Sequence, residues 1–131
     1  MSVAGSSLSA ALTLQAAPNP TAIIGTVGLL ALFLSITAHL AARNVLGDVA
    51  VVKALGVGVG PAVVSTGTAL LSLPGVLGVG LALAVDAVAI HLLYRQPRRT
   101  TGLITAIHAI ITVILGTVVG GAAILYMSAP G

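Results

Sequence analysis

The sequence predicts an all-α membrane protein, a bundle of four transmembrane helices in antiparallel up-down hairpins with both termini extracytoplasmic. Three observations carry that expectation. Of 131 residues, 58% are hydrophobic and 5% charged, with a mean hydropathy of +1.21, whereas soluble domains are about 25% charged. So few charges cannot clothe a water-soluble surface, and most of the exterior must meet lipid. Charge-poor stretches also recur at the length of about 20 residues that a helix needs to cross hydrocarbon. Four of them use up most of the chain and leave no room for a separate soluble domain. Finally, every Lys and Arg falls in one of two connections between those stretches.

Taken in order, residues 1–20 read as an extracytoplasmic tail with an apolar, interfacial stretch over residues 8–17. A cleaved signal peptide is the lesser alternative, because the basic n-region is missing. Pro18 and Pro20 are expected to keep helix out of this segment. A single transmembrane domain then fills residues 21–131. Span one covers 21–42 (TAIIGTVGLLALFLSITAHLAA) without a charge. Residues 43–53 (RNVLGDVAVVK) hold three of the charges and the turn-prone Gly47-Asp48, and read as a loop. Span two covers 54–73 and contains Gly56, Gly58, Gly60 and Pro61. Membrane helices accommodate such residues when neighbours re-satisfy the backbone, and a kink is expected near Pro61. Pro74-Gly75 makes a tight turn into span three, 75–94, which ends at the basic run RQPRR. Span four covers 101–127 and is longer than the hydrocarbon core demands.

Orientation follows from the basic residues. Arg43 and Lys53 lie between spans one and two, and Arg95, Arg98 and Arg99 between spans three and four. Short basic loops are retained in the cytoplasm, so both charged connections are expected inside, in a multi-pass protein of the cell membrane. The high pI of about 10.3 needs no nucleic acid to explain it, since cations near anionic lipid heads gain about 1 kcal/mol each. With no cysteine in the chain, disulfides, thiolate ligands and cysteine nucleophiles are all ruled out.

Four polar residues stand out as a candidate intramembrane cluster: Asp86, His39, His91 and His108. Asp86 lies near mid-depth in span three, where an ionised carboxylate is unfavourable by roughly 2.5–3.5 kcal/mol. It should therefore point into the bundle, on a face shared with Gly75, Val79, Ala82, Ala89 and Leu93. As a functional group it would serve a proton relay or a cation site. As a structural group it would lock helix packing by hydrogen bonding, and this second reading has the stronger claim. The three histidines share one slab of the membrane, near the cytoplasmic ends of their spans, and three imidazoles with a carboxylate could in principle hold zinc. Asp86 and His91 are separated by about 140° around the helix, which works against a shared ligand set, and no metal or other cofactor is expected. Hydroxyl stripes on span two (Ser65, Thr68, Ser72) and span four (Thr101, Thr105, His108, Thr112, continuing to Val119 and Tyr126) read as packing glue. Gly25, Gly28, Ser35 and His39 on span one read as a tight interface. No Ser with a general base, HExxH, phosphate loop or paired acids occurs, so an enzyme is not expected.

The segments HLAARNVLGD (39–48), LAVDAVAIHLLYR (83–95) and LITAIHAI (103–110) resemble a group of small uncharacterised haloarchaeal membrane proteins. The resemblance implies a four-span membrane protein of unknown function and transfers no catalytic or binding residue. The sequence reading is thus a structural or accessory membrane subunit. Its partners would be the lipid bilayer and either further copies of the chain or a larger membrane assembly. The alternative is a small proton-coupled transporter or channel using Asp86.

Overall fold

The computed structural model describes residues 19–130. The expected N-terminal tail lies outside the described residues except at its last two positions. Four helices follow one another: α1 (Pro20–Leu46), α2 (Val51–Leu70), α3 (Gly75–Tyr94) and α4 (Arg98–Ser128). All four are long and apolar enough to cross a membrane, and no strand occurs among the described residues. At 1.5 Å per residue, α2 and α3 are about 30 Å long, while the 31 residues of α4 reach about 46 Å.

Several helix ends differ from the sequence expectation for physical reasons. Pro20 begins α1 instead of excluding helix, because a first-turn proline has no hydrogen bond to lose. Asn19 caps this end, its side-chain oxygen accepting from the backbone N–H of Thr21 at 2.9 Å and of Ala22 at 3.3 Å. The same helix runs on through Arg43 to Leu46 and stops at Gly47, whose φ of 81° favours glycine. Lys53 likewise lies within the first turn of α2, and Arg98 and Arg99 within that of α4. A long cationic side chain can reach the membrane surface from inside a helix, so charge marks the boundary of the span without ending the helix. The second helix closes at Leu70, and Ser72, with φ 56°, sits in the reversal that follows. Pro61 lies within continuous helix.

Contacts between named residues establish that neighbours run antiparallel. Virtual Cβ atoms on Gly56 and Gly60 meet Leu93 and Val85 across α2 and α3, and Asp86 meets His108 while His91 meets Thr101 across α3 and α4. Phe33 approaches Gly116, and Thr37 bonds to Thr112, across α1 and α4. The helices thus form a ring in which α1 touches α2 and α4, and α3 touches α2 and α4.

Packing within the ring relies on small residues. A Cβ on Gly58 would lie 2.5 Å from the backbone nitrogen of Ser35 and 2.6 Å from the carbonyl oxygen of Ala31. This position has no room for any side chain, and it fixes the crossing of α1 and α2. Gly56 and Gly60 serve the opposite flank, where side chains of α3 fill the space. One GVGVG run therefore admits a neighbour on each side. The buried core comprises Ala38, Ala41, Ala42, Ala54, Val57, Ile90, Tyr94 and Ile104. All of these lie toward the end that carries the basic residues.

Candidate functional site

Two short periodic stripes build the polar centre. On α3, Asp86, Ile90 and Tyr94 recur at four-residue intervals and are buried. On α4, Thr101, Ile104 and His108 recur at three and four. Both are inward faces of antiparallel helices, so Asp86 and His108 arrive at the same level. From α1, the face formed by Leu34, Thr37, Ala38 and Ala41 completes the enclosure. Asp86 and His108 are each 3% exposed, and Thr37 is fully buried.

His108 joins three helices. Its Nδ1 lies 2.6 Å from Asp86 Oδ2 on α3, and its Nε2 lies 2.9 Å from Thr37 Oγ1 and 3.1 Å from the Leu34 carbonyl oxygen on α1. The Thr37 hydroxyl donates back to Leu34 O at 3.0 Å, and the Thr112 hydroxyl donates to Thr37 Oγ1 at 3.0 Å. Proton bookkeeping then fixes the ring. A carbonyl can only accept, so Nε2 carries a hydrogen. Thr37 Oγ1 uses its hydrogen toward Leu34 and its lone pairs toward His108 and Thr112, which satisfies it completely. One further proton lies between Nδ1 and Oδ2. Whether it resides on nitrogen or oxygen, the pair holds two exchangeable protons and no net charge, an arrangement that hydrocarbon tolerates far better than a lone ion. Asp86 Oδ1 is buried without a hydrogen-bond partner. Chemically, the arrangement can hold a proton at mid-depth and pass it between two atoms with no change in the net charge of the pair.

The other two histidines lie elsewhere. His91 is exposed on α3, with Nδ1 3.3 Å from Thr101 Oγ1, whose hydroxyl donates to the Gln96 carbonyl at 3.3 Å. This small network closes the connection between α3 and α4, where Arg95 adopts a left-handed φ of 52°. His39 lines a shallow cleft between α1 and α2, and its Nδ1 is buried without a partner. Among the described residues no group of three or more His, Cys, Asp or Glu could hold a metal ion. Lys53 extends from α2 over the Tyr94 ring, 5.8 Å from its centroid.

Sequence reasoning missed Thr37 and the Leu34 carbonyl. The polar face proposed for α1 follows Gly25, Gly28, Ser35 and His39, yet a Cβ on Gly25 or Gly28 would meet nothing within 4 Å. Ser35 faces α2 and bonds back to Ala31 O at 2.6 Å. Thr37 belongs to the Leu34, Thr37, Ala38, Ala41 pattern, a hydroxyl inside an otherwise apolar helical stripe, but the Ser35 face is as regular, and the pattern alone does not choose between them. The expected neighbours of Asp86 are corrected in the same way. Its buried companions are Ile90 and Tyr94, whereas Val79 is 61% exposed. The α4 stripe also leaves the interior beyond Thr112, with Val119 and Tyr126 both exposed.

No curated protein and no solved structure matches the chain. A family model does match, over residues 17–130, which takes in all four helices and every residue of the polar centre. The chain belongs to DUF7473, a family of unknown function.

Proposed function

We propose that this small membrane protein is a structural or accessory subunit and not an enzyme. Its place is the cell membrane of a haloarchaeon, with the charged end cytoplasmic, both termini outside, and contacts to further copies or to a larger membrane assembly. The observation that supports this most is the commitment of the polar interior to itself. Both ring nitrogens of His108 are engaged by α1 and α3, so the one carboxylate within the bundle acts as interhelical glue. Interhelical hydrogen bonds in membranes contribute about 0.6 kcal/mol each on average, and a network of this size holds three helices in register. The cations at a single end of the ring support the orientation, and the haloarchaeal source rests on the sequence resemblance alone.

A second reading, a proton-coupled transporter or channel, is favoured by one atom. The unpartnered Asp86 Oδ1 is a free acceptor at mid-depth, available to a water or to a transferred proton. Vesicles reconstituted with the protein and loaded with a pH-sensitive dye separate the two. The subunit reading expects the same proton leak as protein-free vesicles; flux that falls on Asp86→Asn establishes the transporter instead. Size measurement in mild detergent tests the assembly, and a stable monomer would remove that part. Because the chain has no cysteine, single cysteines at Asp48 or Gln96 report orientation. Labelling of either by an impermeant reagent from outside intact cells would reverse it.

A further inference from the structure

We propose that the cleft between α1 and α2 at the charged end is a binding site for one anionic phospholipid. Its hydrocarbon chain would lie along Leu32, Ile36, Leu40 and Leu55, and the phosphate would sit at Arg43. The cleft has a volume of about 160 Å³, and its wall includes these apolar side chains together with His39 and Val51. The Ser35 hydroxyl at its base is turned away, bonded to Ala31 O. So the cleft offers a chain-shaped apolar surface at the depth of one leaflet. One observation specifies what occupies it. Arg43 follows Leu40 by three residues and His39 by four, which places its cation above the cleft on the same face of α1. The only ion pair among the described residues is the internal one between Asp86 and His108, so this guanidinium is available to an anion. The cleft surface itself is wholly apolar, the His39 Nδ1 being buried away from it, so the head is left to Arg43. The chemistry required is therefore a phosphate joined to a hydrocarbon chain, with a net negative head. This inference rests on membrane insertion alone and is independent of the subunit role.

The chain contains no tryptophan, so Ile36→Trp provides a unique fluorophore in the cleft and Val113→Trp on α4 a control outside it. Each is placed in vesicles containing equal amounts of phosphatidylglycerol and phosphatidylcholine, with one or the other brominated on its acyl chains. Quenching at position 36 is expected to be stronger with brominated phosphatidylglycerol, while position 113 shows no preference. Arg43→Gln should reduce the preference by about fivefold, the factor that corresponds to one cation at a lipid surface. The double change Arg98→Gln, Arg99→Gln should leave most of it in place. Equal quenching by both lipids at position 36 overturns the proposal. So does an equal loss in the Arg43 and Arg98/Arg99 variants, which would mean a diffuse charge effect. Competition by inorganic phosphate would show a site for a free anion, and that too overturns it. If Ile36→Trp fails to fold, as judged by circular dichroism, Leu40→Trp serves in its place under the same criteria.

Discussion

The half of the bundle next to the basic residues and the half beyond it are built from the same kinds of residue, yet the first is packed far more closely. Toward the charged end, Ala38, Ala41, Ala54, Val57, Ile90 and Ile104 are almost fully buried. Toward the other end, Val76, Leu77, Val113, Val118 and Ile124 are all more than half exposed. Hydrophobicity cannot explain the contrast, since lipid receives an apolar side chain as readily as another helix does. What differs is shape and polarity. The packed half has Gly58 at a helix crossing and a hydroxyl–imidazole–carboxyl network. The open half has glycines at 25, 28, 120 and 121 around which a Cβ would meet nothing within 4 Å. In a membrane, close approach and hydrogen bonds decide where helices join, and apolar character decides only that they are inserted.

Substitutions can break this contrast, and the largest effect should come from His108→Ala. It leaves a buried carboxyl without its partner and disconnects α1 from α3, so unfolding in mixed detergent should show a loss of about 3–5 kcal/mol. Gly58→Leu should follow at about 3 kcal/mol, because the atoms it meets are backbone and cannot swing aside. Gly121→Leu, the same change in the open half, should stay within about 0.5 kcal/mol. If those two glycine variants proved equally damaging, the contrast between the halves would fail. Thr37→Val keeps the shape while removing the hydroxyl that receives from His108 and Thr112, for an expected loss of about 1 kcal/mol. Within the polar centre Asp86→Asn should be mildest, below about 1 kcal/mol, since the carboxamide N–H can donate to Nδ1 where the acid donates its proton. A loss as large as that of His108→Ala would instead reveal an ion pair.

Much of this architecture is legible in the residues. Four charge-poor stretches announce four helices, and the mid-depth position of Asp86 announces a carboxyl that must turn inward. The stripe of Thr101, His108 and Thr112 points to the face of α4 that enters the centre. What stayed hidden depends on pairing between helices. Nothing local to α1 separates the face of Ser35, which meets α2, from the face of Thr37, which meets α4, because both carry small residues at helical spacing. The three histidines look equivalent by depth, and only the rotation of each helix within the ring sends His108 to the centre, His91 to a connection and His39 to an outer cleft. Charge marks where a span meets the membrane surface and does not stop the helix, as Arg43, Lys53 and Arg98 show, and Pro20 opens a helix instead of breaking one.

A single imidazole shared by three helices also constrains how such a protein can change over generations. Its ring presents a donor toward Thr37 and Leu34 and a bridging site toward Asp86, so a residue at 37, 86 or 112 that cannot supply the same donor or acceptor leaves the others mismatched. Drift at these positions is therefore coupled, and a lineage that loses the acid at 86 has reason to lose the histidine at 108 as well. Among the described residues the open half has no hydrogen bond from helix to helix, and most positions there are free to vary by themselves.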